Sequence, residues 1–69
     1  MLTEKQKEIF DIIKEYIDKE KISPTVRDIG RIAGLNSSST VHGYLKRLED
    51  KGYIYKSDNC PRSIRIKES

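Results

Sequence analysis

The chain has 69 residues, 35% of them hydrophobic and 36% charged, with 14 Lys and Arg against 11 Asp and Glu for a formal net charge of +3. A domain of this length buries only about 60% of the surface its unfolded chain exposes, which leaves no room for a deep catalytic cavity. No apolar run approaches the roughly 18 residues of a membrane span, and the charged opening MLTEKQKEIF lacks the apolar stretch of a secretory leader, so a cytoplasmic location is expected.

Thr3, followed three residues later by Gln6, is a capping-box pattern. Ile9, Ile13 and Ile17 then recur at helical spacing with Phe10 and Tyr16 beside them, which predicts a first helix through about Lys19. Lys7 with Asp11 and Glu15 with Lys19 stand four apart, as ion pairs on a solvated outer face would. The segment ISPTVRDIGRIAG follows. Pro24 holds Ser23 extended, Thr25 can cap, Asp28 suits a first turn, and Val26, Ile29 and Ala33 mark a short apolar face. This predicts a second helix of two turns, closed by Gly34 in the left-handed conformation, with Leu35 plugging the corner beyond it.

A third helix is expected to begin at Ser37 or Ser38, to bury Val41, Leu45 and Leu48, and to stop at Gly52. A short helix, a glycine turn and a third helix at this spacing make a helix-turn-helix. After it, YIYK and SIRI alternate in strand fashion around SDNCPR, whose Asp58, Asn59 and Pro61 form turns. The expected fold is therefore mainly α with a small β-hairpin: a winged helix-turn-helix of three helices plus a wing, filling residues 1–69 as one domain.

The charge is unevenly placed, net −1 over residues 1–24, +1 over 25–50 and +3 over 51–69. Between Asp28 and Glu49 there is no carboxylate, while Arg31, Lys46 and Arg47 lie within that window. A surface that approaches phosphates has this character. Catalysis has no comparable support. His42 is the only histidine, Cys60 the only cysteine, and no Gly-rich phosphate loop or metal-ligand cluster is present, so no catalytic residue, metal or cofactor is expected. A lone Cys60 forms no internal disulfide and suits a reducing compartment.

Positions three and four apart share a helix face, so with Val41, Leu45 and Leu48 turned inward, Ser38, Ser39, His42, Gly43 and Lys46 project outward. One serine can cap the helix while its neighbours touch something else. Small side chains let a helix sink into the major groove of B-DNA, about 12 Å wide, where Ser, Thr and His bond base edges or phosphates. Gly43 costs about 0.5–1 kcal/mol relative to Ala within a helix, which reads either as close approach by another molecule or as simple tolerance of the glycine. Arg27, Lys46, Lys56 and Arg62 are candidate phosphate contacts, each readable equally as a solvent-exposed charge.

PTVRDIGRIAGLNSSSTVHGYLKRLEDKGYI, followed by PRSIRI, resembles the N-terminal DNA-binding domain of LexA repressors of the Gram-positive type, over residues 3–66. The resemblance implies a winged helix-turn-helix that binds a palindromic double-stranded DNA operator and represses DNA-damage (SOS) response genes. It implies base reading by Ser37, Ser39, Thr40, His42 and Gly43, backbone contacts by Thr25, Arg27, Asn36, Ser38 and Lys46, and a wing around Lys56, Asn59 and Arg62 near the minor groove. Repressors of this type carry a second half that makes the homodimer and cleaves the linker with a serine and a lysine when the RecA filament stimulates it. No residue here matches that half, so the chain is expected to be an excised domain or a shorter relative, without enzymatic activity of its own. Two other readings stay open. A winged-helix module that binds protein would want an apolar patch, for which residues 36–47 offer only Tyr44; a single-strand binder would want stacked aromatics, for which Tyr53 and Tyr55 offer at most one.

Overall fold

Three helices and a hairpin follow one another as the periodicity predicts: α1 (Glu4–Glu20), α2 (Val26–Ala33), α3 (Ser38–Asp50), β1 (Ile54–Tyr55) and β2 (Arg65–Ile66). They are seen in a computed structural model that describes residues 2–57 and 62–67, so Asn59 and Cys60 lie outside the described residues.

Local chemistry fixes the helix ends. Thr3 Oγ1 accepts from the Gln6 backbone N–H (3.2 Å) and Gln6 Oε1 accepts from the Thr3 N–H (3.1 Å). The same buried Oε1 accepts from Lys51 Nζ at 3.1 Å, so the cap of α1 also ties down the end of α3. α1 stops where Lys21 takes a left-handed conformation (φ 62) and its N–H closes on the Ile17 carbonyl at 2.9 Å. On its outer face the ion pair that forms is Lys5–Glu8, at 2.9 Å, in place of the expected Lys7–Asp11 and Glu15–Lys19 pairs.

α2 opens with a second capping box, between Thr25 and Asp28, and closes on Gly34 at φ 74. The turn that follows is held by the Leu35 N–H, which donates to the Gly30 carbonyl at 2.8 Å. Gly30 lies where α3 crosses α2. A Cβ there would meet Val41 Cγ2 at 3.3 Å and the Leu35 carbonyl oxygen at 3.4 Å, so the two helices approach over a position without a side chain.

Ile9 and Ile13 from α1, Ile29 from α2, and Val41, Leu45 and Leu48 from α3 form the core together with Ile54 and Ile64 of the wing, none more than 2% exposed. Each such side chain contributes about 1.5–3 kcal/mol relative to leaving it in water, so the wing shares the core and is no appendage. Phe10 and Tyr53 add an edge-to-face contact at 5.4 Å.

The strands are shorter than the alternation suggested. β1 and β2 pair antiparallel with Ile54 opposite Ile66 and Tyr55 opposite Arg65. Beyond them a side chain replaces the ladder: Ser63 Oγ accepts from the Ser57 N–H (2.9 Å) and donates to the Ser57 carbonyl (2.8 Å). Tyr53 packs inward while Tyr55 stays 53% exposed, with Lys67 Nζ 5.5 Å from its ring centre. Three helices closed by this hairpin make a winged helix-turn-helix.

Candidate nucleic-acid interface

The rotation of α3 is set by its three fully buried side chains, Val41, Leu45 and Leu48. Turned the other way, Ser38, Ser39, Thr40, His42, Gly43 and Lys46 are all exposed, and Tyr44 is half-buried against the core. The first carboxylate along the helix is Glu49, in its last turn. The outward face is thus narrow, polar and free of negative charge over its first two turns.

The start of α3 differs from those of α1 and α2. Ser37 occupies the cap position with an extended backbone but makes no side-chain cap hydrogen bond, contrary to the expected serine cap, whereas Thr3 and Thr25 both cap with their hydroxyls. The first-turn N–H groups of α3, the positive end of its dipole, are therefore not met by that side chain. Gly43 is equally open: a Cβ there would find no atom within 4 Å, so nothing inside the fold requires glycine at that position.

Of the candidate cations, Lys46 stands 4.0 Å from Asp50, with 77% of its side chain exposed. A pair so exposed is worth at most about 1 kcal/mol, so the ammonium remains available. Arg27, on the first turn of α2, and Asn36, in the turn before α3, are exposed, and Lys56 on the wing is half-buried. Thr25 has its N–H and its hydroxyl oxygen engaged with Asp28 (3.0 and 3.1 Å). Arg62 is turned toward the body, its Nη1 donating to the Ser23 carbonyl at 2.9 Å and to Asp28 Oδ2 at 3.4 Å. The α3 residues are therefore all exposed on one helix, whereas Thr25 and Arg62 belong to a second cluster around Asp28; Asn59 lies outside the described residues.

That cluster is the part sequence reading missed. Asp28 is 9% exposed, yet Oδ2 accepts from the Thr25 N–H, the Tyr16 hydroxyl (3.3 Å) and Arg62, while Oδ1 accepts from Arg31 Nη2 (3.2 Å). The Thr25 N–H first, then the Thr25 hydroxyl and the Arg62 charge, hold its carboxyl below the usual carboxylate range in spite of burial, which acts in the opposite sense. Only the capping role had a signal in the sequence, because Tyr16 and Arg62 arrive from 12 and 34 residues away. Among the described residues, no three of His, Cys, Asp and Glu gather as metal ligands, and no helix is long and apolar enough to cross a membrane.

The family model of the LexA DNA binding domain matches residues 1–63. The chain belongs to the LexA DNA-binding domain family. The match takes in all three helices and β1. LexA repressors from Staphylococcus epidermidis and Staphylococcus haemolyticus are each 52% identical over 65 residues, 94% of this chain, and that from Staphylococcus aureus is 51% identical over the same share. Those residues are 32%, 31% and 31% of the respective relatives, so the chain spans about a third of the length of the curated relatives it matches. In this LexA-family domain, α3 presents a polar, exposed stretch that meets its first carboxylate only at Glu49.

Proposed function

We propose that this chain reads a palindromic double-stranded DNA operator and thereby serves as the DNA-binding part of a repressor of DNA-damage (SOS) response genes. The observation that carries the reading is the outward face of α3, where small polar side chains are exposed opposite a fully buried Val41, Leu45 and Leu48. A helix with its side chains measures about 10–12 Å across and the major groove is about 12 Å wide, so small residues on the inserted face decide whether it fits. Ser37, Ser39, Thr40 and His42 carry the groups that bond base edges, and Gly43 lets the backbone approach. Arg27 and Lys46 hold phosphates, assisted by Thr25, Asn36 and Ser38, which orients the helix without reading sequence. Lys56, Asn59 and Arg62 follow the backbone beside the minor groove; with its side chain 47% exposed, Arg62 keeps N–H groups for a phosphate while Nη1 stays on Ser23 and Asp28.

Within a longer repressor, a second half supplies homodimerisation, and the RecA filament supplies the stimulus that ends repression, in the cytoplasm where the genome lies. A protein-docking role for the same face lacks an anchor, because Tyr44, its one aromatic residue, packs against the core.

Selection of bound duplexes from a random pool tests the reading. The expected outcome is one enriched half-site, recovered as an inverted repeat when two copies of the chain are tethered, with centres about 10–10.5 bp apart or a multiple of that. Ser39→Ala or His42→Ala should then shift preference at a single base pair by about 1–3 kcal/mol. No enrichment at low salt would remove the proposal.

A further inference from the structure

The Asp28 carboxylate lies where α1, α2 and the wing meet. A carboxylate this buried is costly unless its oxygens are met, and it receives Tyr16 from α1, Thr25 and Arg31 from α2, and Arg62 from the wing. The wing is also tied beside it. Arg62 Nη1 donates to the Ser23 carbonyl, and the Ile64 N–H donates to Ser23 Oγ at 2.9 Å, which in turn donates to the Pro24 carbonyl at 2.9 Å. A hairpin with two paired residues in each strand cannot hold itself together in water, so its orientation comes from what it packs upon. Ile54 and Ile64 set its depth in the core; this polar seam ties its outgoing arm to the start of α2.

We propose that Asp28 is a positioning residue: through Arg62 it latches the wing to the first turn of α2, so that the wing and α3, which crosses α2 over Gly30, meet DNA as one rigid unit. The DNA half of this inference rests on the function proposed above, whereas the latch itself is a property of the free chain.

The chemistry of the cap permits a clean test. The third helical position of a capping box accepts Glu or Gln, and only Glu retains the negative charge. Asp28→Gln therefore keeps the cap and removes the charge facing Arg62, Asp28→Glu keeps both, and Arg62→Gln removes the partner from the wing side. Amide hydrogen exchange at Ile64 in the free chain reads the latch, and circular dichroism monitors the helices. Both Gln variants should speed exchange at Ile64 by about three- to tenfold, with the slow amides of α1 and α3 unchanged, and Asp28→Glu should stay within about twofold of the parent, as fits local opening of a seam that has lost one partly exposed pair. On the duplex selected above, both Gln variants should bind about two- to fivefold more weakly and lose backbone protection under the wing, while base preference at α3 is retained.

Unchanged Ile64 exchange in the two Gln variants overturns the latch, as does an Asp28→Glu variant that loosens the wing as much as Asp28→Gln. Should Asp28→Gln fail to fold, Arg62→Gln decides alone, because it leaves the α2 cap intact. If the parent selects no duplex yet shows this exchange pattern, the DNA reading falls and the latch stands.

Discussion

Gly43→Ala separates what α3 needs in order to fold from what it needs in order to bind. In the free chain the new methyl would enter open space, with no atom within 4 Å of the added Cβ, and position 43 carries no left-handed strain. Alanine should therefore recover the penalty of an exposed mid-helix glycine, about 0.5–1 kcal/mol. For a domain of this size that corresponds to a rise of about 2–8 °C in Tm. On DNA the sign should reverse. A helix held off the groove by one methyl loses at least one base-edge contact, about 1–3 kcal/mol, or roughly five- to 150-fold in Kd. Thermal unfolding followed by circular dichroism and fluorescence anisotropy with the selected duplex measure the two effects on the same sample. A Tm that falls would refute the open-face geometry of α3, and a Tm that rises with unchanged Kd would refute close approach at Gly43.

Other expectations follow from single contacts. Lys46→Ala should weaken binding to all duplexes alike and flatten the slope of log K against log salt by about one phosphate, with little change in Tm because its pair with Asp50 is long and exposed. Leu45→Ala should cost about 2–5 kcal/mol in denaturant unfolding, a large share of the roughly 3–10 kcal/mol that a domain of this size holds. Asp28 has a folded-state pKa below its unfolded one, so its contribution to stability is complete above the unfolded value of about 3.9 and is lost as pH falls through the folded value; Asp28→Asn should make the acid limb of a Tm-against-pH curve shallower. Lys21→Gly should raise Tm by relieving a left-handed lysine, with a gain of roughly 0.5–1 kcal/mol after the entropy of glycine is set against it.

The helices were legible because the signals that make them are local. Thr3 with Gln6, Thr25 and Gly34 mark the ends of α1 and α2 within one turn of sequence, and Val41, Leu45 and Leu48 fix which way α3 faces. That rotation made the candidate α3 face readable from sequence, residue by residue. The wing was legible as a hairpin but not in extent, since alternation cannot tell that the Ser63 hydroxyl takes over from backbone pairing after Tyr55. The serine cap failed in the same way: four hydroxyls in a row predict that one will cap, while the Ser37 side chain makes no such bond. Least legible was everything around Asp28. Tyr16 read as an apolar flank and Arg62 as a free cation, and only folding brings them together on one carboxylate. Gly30 gave no warning either, because a glycine inside a short helix looks merely tolerated until Val41 is found against it.

The seat at Gly30 separates two kinds of change. Because the main chain of α2 and the Val41 methyl set the spacing there, α3 keeps its attitude whatever stands on its far side. Exposed positions such as 39, 42 and 43, the target readers under the function proposed above, can be rewritten without disturbing the joint that aims them. A methyl group at position 30 would instead press on Val41 and the Leu35 carbonyl and re-aim the helix for every target at once.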